Sequence, residues 1–144
     1  MSFKGGVAGI SADRQQRIEG YVDVNFSDLT SGDDYAVFWL PAGATDITGN
    51  VVPIVAFNSE TSDVLDVGNE SSENAYKNDL NIAATTAGAL TGLPLTVANG
   101  FWVTVRWTGV GNAPTAGQFR IFFTYIMEER GQFSHGASRY GLSD

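Results

Sequence analysis

The residues of this chain best suited to chemistry lie between Ala56 and Tyr76, where Glu60, Asp63, Asp66, Glu70 and Glu73 alternate with Ser, Asn and short apolar steps in AFNSETSDVLDVGNESSENAY. Carboxylates this dense can chelate a hard cation, or act as a general acid and base where their environments split their pKa values. An EF-hand loop needs oxygen ligands at alternate positions, a glycine at the sixth and a glutamate at the twelfth, and Gly68 falls outside that register. Asp63 and Asp66 stand three apart in strand-like sequence, which turns them to opposite faces. The acids occupy positions expected of polar turns and outward strand residues. The stretch therefore reads as a strand, a polar turn that keeps it soluble, and the next strand, with no metal ion and no cofactor.

Other chemistry is no better supplied. Cysteine is absent, no G-x-S-x-G occurs, and the sole histidine, His135, lies near the C-terminus. GVGNAPTAGQFR has the glycines of a phosphate loop, but no Lys-Ser or Lys-Thr follows Gly117 and the flanking elements read as strands, so it is expected to be a long hairpin loop. Trp39, Trp102 and Trp107 could stack on a sugar, although tryptophans at strand spacing more often serve a core or an interface. An enzyme is not expected. A carbohydrate- or receptor-binding sandwich module is the alternative kept open.

The elements that position these residues are strands. EGYVDVNF alternates, with Gly20, Val22, Val24 and Phe26 on one face and Glu19, Tyr21, Asp23 and Asn25 on the other. YAVFWLP, from Tyr35 to Pro41, is apolar on both faces and is expected near the centre of the fold, covered by a second sheet or a neighbouring subunit. DITGNVVPIVAFNS holds Pro53, which removes a ladder donor and so belongs at an edge or a bulge. SDVLDVG gives a short strand, and 71–92 reads as irregular with a helical turn near Ala75 to Leu80. In PLTVANGFWVTVRW two β-rich runs meet at Asn99-Gly100, the signature of a two-residue hairpin. Phe101, Val103, Val105 and Trp107 then share one face and Trp102, Thr104 and Arg106 the other; QFRIFFTYIM aligns Phe119, Ile121, Phe123, Tyr125 and Met127. The pattern predicts an all-β, single-domain β-sandwich of jelly-roll type over residues 18–130, with arms at 1–17 and 131–144.

Charge divides the chain in the same way. The net charge is −8, yet between Glu19 and Met127 the only bases are Lys77, Arg106 and Arg120. An acidic body repels phosphate, which argues against nucleic acid as a partner and suits docking on a basic or mixed protein surface. No segment approaches the roughly 20 apolar residues of a membrane span and no signal peptide is evident, so a soluble protein made in the cytoplasm is expected. The Gly/Ser-rich arms carry Phe3, Lys4, Arg14, Arg17, Phe133 and Tyr140, which are expected to order on a neighbouring subunit. Phe38 and Trp39 are the expected interface residues of the body, from the apolar run YAVFWL.

The succession VDVNFSDLTSG, LPAGATDITGNVV, AFNSETSDVLDVGN and VTVRWTGVGNAPTAGQFRIFFTYI resembles a group of small virion proteins of tailed bacteriophages and prophages, regarded as capsid decoration or cement proteins. The likeness covers about residues 18–130, and the arms fall outside it. It implies a β-sandwich that oligomerises, often as a trimer, on the outer face of an icosahedral shell, with the major capsid protein as partner and no catalytic residues. A neck, tail or fibre position in the virion is the alternative within that class.

Overall fold

A computed structural model describes residues 16–127. Eight strands fill it: β1 (Ile18–Asn25), β2 (Asp34–Leu40), β3 (Ala44–Val55), β4 (Ser62–Asn69), β5 (Lys77–Asn81), β6 (Gly88–Ala89), β7 (Phe101–Val110) and β8 (Gln118–Met127). They form two four-stranded antiparallel sheets, ordered β1-β8-β3-β6 and β2-β7-β4-β5. First pairs with last, second with seventh, third with sixth and fourth with fifth. That nesting is the rolled-up ribbon of a jelly roll, so the expected fold class holds.

Strict alternation in β8 builds the core. Phe119, Ile121 and Phe123 are fully buried and Tyr125 nearly so, and they face Val103, Val105 and Trp107 of β7 across the sandwich. Phe123 is flanked on its two neighbouring strands by Gly20 and Gly49. The missing side chains leave room for the Phe38 ring, which enters from the facing sheet and lies 4.6 Å from Phe123, centroid to centroid. A Cβ on Gly20 would sit 3.2 Å from Phe38, a tight contact that the ring would have to relieve by shifting a few tenths of an ångström.

Four sequence-based expectations change. The run Tyr35 to Leu40 does not lie at the centre: β2 is an edge strand, bulged between Ala36 and Phe38. Its apolar residues on both faces are explained by Phe38 pointing inward and Trp39 outward, where Trp39 is half exposed. Asn99-Gly100 is not a hairpin turn, because 94–97 forms no strand beyond a single bridge from Thr96 to Thr45 of the other sheet. Gly100 is required instead by Trp39, whose ring atoms lie as close as 2.3 Å to where a Cβ would stand. The loop 111–117 is not a hairpin either, since β7 and β8 belong to different sheets and the loop crosses between them. Finally, the stretch expected to hold a helical turn contains β5, held at the sheet edge by the Asp66 carboxylate, which accepts the Asp79 N–H at 2.7 Å. Pro53 behaves as expected, beside a register shift in β3 between Pro53 and Val55.

Candidate functional site

The acidic stretch that opened the sequence reading folds into β4 and the turn after it, and its members separate. Asp63 points inward and is 1% exposed, contrary to the outward or turn position expected of every acid there. Its carboxylate accepts hydrogen bonds from the Trp107 Nε1–H at 2.9 Å, the Ser59 backbone N–H at 2.9 Å and the Ser59 hydroxyl at 2.6 Å. Three converging donors replace the water lost on burial and fasten the β3–β4 loop to β7. The signal missed in the sequence is the separation of Ser59 and Asp63 by four residues, enough for one turn to fold back; the contribution of Trp107 has no local signature.

Asp66, on the opposite face as predicted, joins an outer row with Asp34 and Arg106 across the β2-β7-β4 ladder. Arg106 grips Asp34 through two bonds of 2.8 and 3.0 Å and reaches Glu73 at 2.8 Å, pinning the 70–76 loop against the sheet. Burial, together with the nearby charges of Asp79 and Glu73, pushes the Asp66 carboxyl above its ordinary range, against the opposing effects of the Asp79 N–H and Arg106. A carboxyl raised on folding favours the folded state most at low pH, and that contribution fades as pH rises through its ordinary and then its folded value. Asp66→Asn keeps the oxygen that accepts from Asp79, so at pH 7 it is expected to raise stability by less than about 1 kcal/mol, given partial screening by solvent. The gain should vanish below the ordinary aspartate range; a urea series at pH 3 and pH 7 checks it.

On the outside of the first sheet, Arg120 forms a two-pronged pair with Asp23 at 2.6 and 3.0 Å and stacks 4.2 Å from the centroid of Tyr21. The Arg120 hydrogen bond holds the Asp23 carboxyl below its usual range, with burial opposing. This pair therefore supports the fold at neutral pH and loses its contribution as acid protonates Asp23. Among the described residues no group of three or more acidic or histidine side chains is placed to hold a metal ion.

The interface residues expected from sequence also separate. Phe38 faces the core, whereas Trp39 meets Trp102 on the outer face of the second sheet, centroids 5.3 Å apart and planes at 65°. Such a pair offers an edge and a face and not one flat platform for a sugar ring. Trp107 is buried. Arg17, expected in the arm, belongs to the sandwich: its guanidinium donates to the Asp46 carbonyl at 2.9 Å and to Thr124 Oγ1 at 3.3 Å, and pairs with the Asp46 carboxylate. Phe3, Lys4, Arg14, Phe133 and Tyr140 lie outside the described residues. Leu95, which sequence did not single out, is 87% exposed on the β6–β7 loop.

An eight-stranded jelly roll with its exposed aromatic residues gathered on sheet faces defines the class of domain. The same fold occurs in a chain of the cyanophage Pam1 capsid asymmetric unit, which is 22% identical with a TM-score of 0.65 over 88% of this chain and 92% of that one. It also occurs in the acidic stable capsid structure of Helicobacter pylori bacteriophage KHP30, at 17% identity and a TM-score of 0.54 over 77% of this chain and 87% of that one. A chain of the capsid of Ralstonia phage GP4 is similar at 15% identity and a TM-score of 0.53, over 78% and 84% of the two chains. No protein-family model and no curated protein matches the sequence.

Proposed function

We propose that this chain is a structural protein of a tailed-phage virion that binds the outside of the capsid and cements neighbouring major capsid subunits, acting as an oligomer, most simply a trimer. The observation that carries this reading is the likeness over nearly the whole of both chains to a component of the Pam1 capsid structure. The surface supports it in kind. Trp39 and Trp102 stay 46% and 41% exposed, a cost to solubility that contact with a partner removes. Each described arginine is already ion-paired within the chain, which leaves Glu19, Asp33, Glu60 and Glu70 as outward charges for a basic or mixed coat surface.

Cement binds the assembled shell more tightly than its dissociated subunits, so it stabilises the shell by mass action. Particles lacking the protein are expected to release DNA at lower temperature and under milder osmotic shock than complete particles. Equal resistance would overturn cementing. Copy number per particle then separates a capsid-wide position from the neck, tail or fibre, where only a few copies fit.

A further inference from the structure

We propose that the outer edge of β1 takes up an extended segment of a coat subunit as a fifth strand of the first sheet, an inference that rests on the cementing reading above and gives it a contact. Of the four sheet edges, three are blunted. β2 is bulged between Ala36 and Phe38, β5 is five residues long with a register break against β4 between Leu65 and Val67, and β6 is two residues long. β1 differs: all eight of its residues pair with β8 without a break, and among the described residues no strand pairs with its other side. Alternate residues of an antiparallel strand turn both N–H and C=O away from the neighbour they are not bonded to. An edge of about 26 Å, at about 3.3 Å per residue, therefore carries a regular row of donors and acceptors, the template on which a further strand pairs.

The side chains along that edge specify the occupant. Ile18 and Val22 turn inward yet stay partly exposed, because the sheet ends beside them, and Gly20 between them lies against Phe38 of β2. Apolar residues on the inner face of an added strand cover both. On the outer face Tyr21 is 56% exposed and Asp23 is taken by Arg120. Glu19 is left, exposed and without an ion pair among the described residues. A lysine or arginine opposite it supplies the missing charge, since opposite charges directly across a ladder stabilise the pairing. A second β1 does not fit this role: IEGYVDVN holds no base, and Arg17 just before it is held by Asp46 and Thr124. The occupant is thus a coat segment that alternates apolar residues with a base. Its main-chain bonds give the affinity, and its alternate side chains give the choice of partner.

The test is amide hydrogen exchange in the full-length protein, free and bound to particles assembled without it. In the free protein alternate amides of 18–25 are expected to exchange rapidly and the others, bonded to β8, slowly; on the particle the rapid set should slow about a hundredfold or more. Val22→Lys is the matching variant. Its lysine reaches past the edge into water in the free protein but is buried beneath an added strand, so affinity for particles should fall about tenfold or more while the melting curve stays near that of the wild type. Val22→Thr keeps the branched shape and should bind as the wild type does. If Val22→Lys fails to fold, Glu19→Lys replaces it, with a loss of affinity larger in about 50 mM than in about 500 mM salt. Amides that stay rapid on the particle, or a folded Val22→Lys that binds unchanged, overturn the inference and leave cementing intact, because the protein is bound. Amides already protected in the free protein overturn it too, since this chain then covers its own edge or pairs there with a second copy. A wild type that binds no particle removes the cementing reading and this inference with it.

Discussion

Asp63→Leu is expected to lower the stability of the sandwich by about 3 to 5 kcal/mol, a large part of the roughly 5 to 15 kcal/mol typical of a domain. Leucine keeps the branched skeleton but with bulkier methyls, so the loss combines crowding with the donors left behind: the Trp107 indole N–H, the Ser59 amide and the Ser59 hydroxyl, all directed at the space the carboxylate occupied. Each buried donor without a partner costs about 1 to 3 kcal/mol, although the Ser59 hydroxyl can rotate towards solvent and reduce its share. Asp63→Asn separates charge from shape. The amide keeps one oxygen but turns its NH₂ towards a donor wherever it is placed, so an intermediate loss of about 2 kcal/mol is expected. Urea unfolding followed by tryptophan emission provides the measurement. If the leucine variant unfolds at the wild-type midpoint, the three hydrogen bonds do not hold the β3–β4 loop.

That network marks where the sequence stopped being legible. Alternation identified the inward faces of β1, β7 and β8 residue by residue, because a strand with one wet face leaves a period of two in the sequence. A buried carboxylate breaks that code, since Asp63 satisfies the pattern only by meeting donors from Ser59 and Trp107, the latter distant in the chain. Sheet membership was hidden for a related reason. In a meander, strands adjacent in sequence pair with each other, and Asn99-Gly100 and 111–117 look like the turns of one. In the jelly roll β7 pairs with β2 and β4 while β8 pairs with β1 and β3, and no local feature of either loop records that. The edge position of β2 was masked by its composition: Phe38 and Trp39 are both apolar, but one contributes to the core and the other to the surface. The outer-face arrangement around Arg106 was legible in part, since alternation set Trp102, Thr104 and Arg106 together, while the return of Glu73 onto that face depends on the turn at Asn69, whose side-chain oxygen accepts the Ser71 and Ser72 N–H groups at 2.9 Å.

The neighbours Phe38 and Trp39 make the sharpest separation between folding and association. The sequence pattern marks both as interface residues; in the structure substitutions at the two positions act on different equilibria. Phe38→Asp would place a carboxylate between the sheets, against Phe123 and beside Gly20. Loss of the ring costs about 3 to 5 kcal/mol before the charge is counted, so the variant is expected to be largely unfolded or aggregated. Trp39→Asp acts on a side chain 46% exposed, stacked on Gly100 and Trp102. Removing one member of an exposed aromatic pair costs about 1 kcal/mol, so this protein should fold, with an unfolding midpoint a few degrees below that of the wild type. Its association should suffer far more than its stability, because a carboxylate in the contact must either give up its hydration or hold the surfaces apart. Circular dichroism melting alongside sedimentation distinguishes the outcomes. A Trp39→Asp protein that melts near the wild type and associates as strongly would show that the exposed pair on the outer face of β2 and β7 takes no part in assembly, and a Phe38→Asp protein that folds normally would show that the inward packing of β2 is not what holds the two sheets together at that edge.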